Sequence, residues 1–117
     1  MHMDWKLEKL MLDLILTLQT ELESVPMHRS QILGGLHKQV RLCKRRGHWS
    51  EIETQTVTRY RWYRSVGLSL EKCEKAAAYY ALHLLSHCAK EDNAPILLQR
   101  SLASALYNGR DLTVIAT

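Results

Sequence analysis

The chain has 117 residues, 46% apolar and 24% charged, with a net charge of +4. That size and balance suit one domain with one hydrophobic core, residues 1–117, and argue against disorder. Three cysteines (Cys43, Cys73, Cys88) without CxxC spacing point to free thiols in a reducing compartment. No run of about eighteen apolar residues is present, and the opening residues carry no secretory signal, so a cytoplasmic protein with no membrane association is expected.

From Asp4 to about Ser24 the pattern is helical. Leu7, Met11, Leu14, Leu18, Leu22 and Val25 recur at steps of three and four and form one stripe. Trp5, Leu12, Ile15 and Leu16 widen the apolar surface beyond that stripe. A helix apolar on more than one side needs cover on more than one side, and these four residues are assigned to the interface of a homodimer. Pro26 is read as the stop, because the residue before a proline is pushed out of helical geometry.

A second helix is expected from about Ser30 to Arg46, with Ile32, Leu33, Leu36, Val40 and Cys43 on one face and His37, Lys38, Arg41, Lys44 and Arg45 on the other. Gly34 and Gly35 lie inside it at a cost of about 1 kcal/mol each relative to alanine. They mark a kink, a close helix crossing or the true helix start. Gly47 suits a C-terminal stop. Ser50 is then expected to cap a third helix, with Glu53 at the capping-box position. That helix runs to about Val66 with Ile52, Thr56, Tyr60 and Tyr63 on one face, and Gly67 ends it.

Ser69 is expected to cap a fourth helix, Leu70 to Ala89, whose ridge of Leu70, Cys73, Ala77, Tyr80 or Ala81, Leu84 and Cys88 belongs at the centre of the core. After the polar break Glu91–Asn93, Pro95 opens a fifth helix through Ile96, Leu97, Leu98, Leu102, Ala105 and Leu106 to Asn108–Gly109. The tail from Asp111 to Thr117 leans towards an extended arm. The fold expected is all-α, a compact bundle of about five helices with a short extended tail.

Charge is unevenly distributed. Lys38, Arg41, Lys44, Arg45, Arg46, Arg59, Arg61 and Arg64 face only Glu51 and Glu53 in the stretch between residues 38 and 64. That local excess is larger than the charge of the whole chain, and Trp49, Tyr60, Trp62 and Tyr63 lie among it. Clustered guanidinium groups suit phosphate or carboxylate, and aromatics among them suit stacking on bases. If the second and third helices are antiparallel neighbours, their basic ridges merge into one surface. The nucleic-acid contacts expected are Lys38, Arg41, Lys44, Arg45, Arg46, Arg59, Arg61, Trp62 and Arg64, on DNA or RNA. An acidic protein partner gripped by the same arginines is the alternative, and a plain solvated face explains the same residues.

Other motifs are weaker. Val66-Gly67-Leu68 has the centre of a helix-turn-helix, yet two core helices joined by a tight turn explain it more simply. His83 and His87 have an i, i+4 spacing beside Cys88, but two histidines do not make a metal site. No catalytic, cofactor or metal signature stands out, so a non-enzymatic regulatory protein is expected.

Overall fold

The computed structural model describes residues 4–18 and 26–114. It is an α-helical bundle: α1 (Asp4–Leu18), α2 (Pro26–Arg45), α3 (Trp49–Ser65), α4 (Leu70–Glu91), α5 (Ile96–Asn108) and the single turn α6 (Asp111–Val114), with no strand among the described residues. The expected all-α class holds. No helix among the described residues is long and apolar enough to cross a membrane.

The expected centre is also found. α4 touches each of the other five helices. Its small residues Cys73, Ala76, Ala77, Ala78, Ala81 and Ala89 and its larger Leu82 and Leu85 are all buried. Small side chains let the neighbouring helices approach closely, and the larger ones are supplied from across the interface by Leu7, Met11, Ile15, Leu36, Tyr63 and Leu102. Leu70 and Ile96, expected on buried ridges, instead stand 51% and 61% exposed. Each is the first residue of its helix, at the rim of the bundle.

Three helix ends share one chemistry. His48, Leu68 and Ala94 each donate a backbone N–H five residues back, to Cys43, Tyr63 and Ala89, while Gly47, Gly67 and Asn93 donate three residues back. All three of the latter have positive φ (77°, 94° and 52°), the left-handed cap that glycine and asparagine favour. Gly109 differs, with φ −96°. A Cβ there would lie 2.8 Å from Leu18 Cδ1 and 3.0 Å from the Tyr79 ring, so its smallness is needed for packing.

Three boundaries depart from expectation. α2 begins at Pro26, which opens a helix rather than ending one, since the first helical residue needs no N–H. α3 begins one residue before Ser50, behind His48. Burial of Trp49 and the immediately preceding cap at Gly47 draw the chain into helix early, and the Ser50 hydroxyl bonds back to Gly47 O at 3.4 Å. Ser69 does cap α4, accepting from Lys72 N. The tail turns helical at Asp111–Val114 rather than extending, with Leu112 packed against the core. Residues 19–25, where the first helix was expected to end, lie outside the described residues.

Candidate nucleic-acid interface

The face of α2 turned away from the core carries Lys38, Arg41 and Arg45, all exposed. At i, i+3 and i+7 they form one ridge, about 10 Å long at 1.5 Å per residue. None of them, nor Arg61, has an ion pair or ring contact with a described residue. Gly34 continues the ridge one turn earlier and is exposed too.

The remaining basic residues are drawn elsewhere. Lys44 and His37 lie on the side of α2 facing α1, where Glu8 meets both: His37 Nδ1 at 2.8 Å and Lys44 Nζ at 3.7 Å. Lys44 also stands 5.5 Å from the Trp49 ring. Arg46 donates to Asp92 Oδ1, and Gln39 Nε2 donates to Asp92 Oδ2 at 2.9 Å. The Asp92 side chain is only 6% exposed. These three residues clasp α2 to the start of the α4–α5 turn.

On α3, Arg59 lies 4.7 Å over the Tyr80 ring of α4, and Arg64 Nη1 donates to Leu68 O at 3.3 Å. Trp62 is 46% exposed and meets Tyr63 edge-on. α3 packs chiefly against α4 and only lightly against α2. Arg61, Trp62 and Arg64 are all exposed, towards the C-terminal end of α3.

Residues assigned to a dimer interface divide as well. Ile15 is 1% exposed, within the core, and offers no surface to a second copy. Leu12 and Leu16 are half-buried, and the Trp5 side chain lies outside the described residues. α1 touches α4, α5 and α2, so much of its apolar width is covered within the chain.

Among the described residues the thiols and histidines form no ligand set: no group of three or more His, Cys, Asp or Glu side chains converges. His83 and His87 meet edge-to-face at 4.9 Å; desolvation, then the neighbouring His87 and Lys90, hold the His83 imidazole below its ordinary value. Burial, then Cys88, push the Cys43 thiol up to about 12, and burial raises Cys88 as well. Neither is an activated thiolate at neutral pH.

Two participants escaped the sequence reading. Gln39 falls among the apolar positions of α2, and that misplaced amide was the legible sign of a buried polar partner. Asp92 gave no such sign within a run of polar residues. No family model matches the chain, and no curated protein or solved structure is significantly similar to it.

Proposed function

We propose that the protein binds nucleic acid through the exposed ridge of α2, with Lys38, Arg41 and Arg45 on successive phosphates. The carrying observation is that these three cations share one face and are left unneutralised by any described residue, while neighbouring Lys44 and Arg46 are paired. Phosphates of one strand recur roughly every 3.4 Å along the duplex axis, so a ridge of about 10 Å spans about three nucleotides. Arg61 and Trp62 add a second contact point, a free guanidinium beside a half-exposed ring suited to stacking on an unpaired base. The role is that of a non-enzymatic regulatory protein. Any second copy would pair on the half-buried Leu12 and Leu16.

Fluorescence titration of duplex and single-stranded oligonucleotides at 50 and 200 mM salt tests this. Affinity is expected to fall steeply with salt, and the Arg41→Ala/Arg45→Ala double variant to bind several-fold more weakly at low salt. Salt-independent affinity, or unchanged binding by that variant, contradicts the reading.

A further inference from the structure

Beside the basic ridge, between α2 and the start of α5, runs a groove of about 550 Å³. Gly34 and Gly35 form part of its α2 wall, Leu42, Leu97 and Leu98 supply apolar surface, and Lys38 stands at its lip. Asp92 also borders it, but that carboxylate is already engaged by Arg46 and Gln39. The groove is thus apolar with a cationic edge.

Gly34 and Gly35 are the unusual residues of the α2 wall. Both residues lie in the interior of a 20-residue helix, where each costs about 1 kcal/mol against alanine. Glycine is retained at such a position when a Cβ would clash or when the backbone needs positive φ. Neither reason applies. A Cβ on Gly34 would meet nothing within 4 Å, and one on Gly35 would meet Leu98 at an ordinary 3.6 Å. Neither glycine has positive φ. Gly35 faces Leu98 of α5, whereas the packing of this chain leaves Gly34 open, and a bare glycine there lets another helix lie directly on α2.

We propose that this groove receives an acidic amphipathic helix of a partner protein. Its apolar residues would enter between α2 and α5, its backbone would pass over Gly34, and carboxylates along its edge would meet Lys38, Arg41 and Arg45. Nucleic acid fits the ridge but not the groove, whose walls offer no aromatic ring for stacking. This site is additional to the nucleic-acid reading and does not depend on it, although a helix seated here covers the same three cations.

The test uses two labelled 18-residue helical peptides with an identical leucine face, one flanked by glutamate and the other by lysine. Binding to the full chain is measured by fluorescence anisotropy and mapped by amide hydrogen exchange. The glutamate peptide is expected to bind at least tenfold more tightly than the lysine peptide and to protect residues 31–42 and 96–98. Gly34→Leu should abolish this binding with no loss of thermal stability, because its side chain enters open space, and Lys38→Glu should weaken it about tenfold. Leu97→Ser, on the α5 wall away from the ridge, should weaken the peptide and leave oligonucleotide affinity unchanged, so the two sites fail separately. Absence of binding by the glutamate peptide, equal binding of both peptides, full binding to Gly34→Leu, or protection of residues 96–98 by oligonucleotide alone would each overturn the proposal.

Discussion

Arg45 and Arg46 are neighbours in the chain but belong to two unlike regions. Arg46 is paired with the nearly buried carboxylate of Asp92, which Gln39 also holds, and the three groups tie α2 to the far end of α4. Arg45 joins Lys38 and Arg41 on the outer ridge, where no described residue neutralises it. The clasp spends its charge on the fold, and the ridge keeps its charge for solvent or a ligand. A local excess of basic residues therefore overstates the charge on offer, because Lys44, Arg46 and Arg59 are already engaged within the molecule.

This contrast is broken most forcefully at Asp92. Asp92→Ala removes a nearly buried acceptor from two donors, and hydrogen bonds to charged groups contribute roughly 1.5–3 kcal/mol. We expect a loss of about 2 kcal/mol in urea denaturation, because half-exposed Arg46 recovers hydration. Arg45→Ala should change stability by less than about 0.5 kcal/mol. Equal effects from both would erase the distinction between clasp and ridge.

Two glycines sharpen it next. Gly109→Ala forces a methyl against Leu18 and Tyr79 and should cost roughly 1–2 kcal/mol through overpacking. Gly34→Ala places a methyl in open space on the ridge and should stabilise by about 1 kcal/mol. Thermal melts of the two variants should shift in opposite directions.

A pH-dependent effect concerns the thiol beneath the clasp. Gln39 Nε2 lies 3.8 Å from Cys43 Sγ, and burial keeps that thiol protonated up to about 12, against an ordinary 9.0. The unfolded chain therefore releases this proton first. The stabilisation is fully present below pH 9 and is lost as pH climbs from there towards 12. Comparing urea midpoints from pH 8 to 11, the decline should be shallower in Cys43→Ala than in the parent.

Local chemistry was the legible part of this sequence. The stops at Gly47 and Gly67, the Ser69 cap and the buried face Ile52, Thr56, Tyr60 and Tyr63 all depend on residues a few positions apart. What escaped depends on distant partners. Ser50 lost the cap position because Trp49 found a buried place, and Leu112 turned the tail helical by packing on the core. For the candidate site, periodicity placed Lys38, Arg41 and Arg45 together but set Lys44 among them, which instead meets Glu8 of α1. Nothing local distinguished them from Arg46, whose partner lies 46 residues away.

The salt dependence of oligonucleotide binding tests the division between ridge and clasp most directly. The slope of log K against log salt is measured for the parent, the triple variant Lys38→Ala/Arg41→Ala/Arg45→Ala, and Arg46→Ala at a temperature where every variant is folded. Each lost phosphate contact lowers the slope by roughly one, so the triple variant should lose about three and Arg46→Ala nothing. A slope unchanged in the triple variant, or reduced as much per residue by Arg46→Ala, would contradict the account.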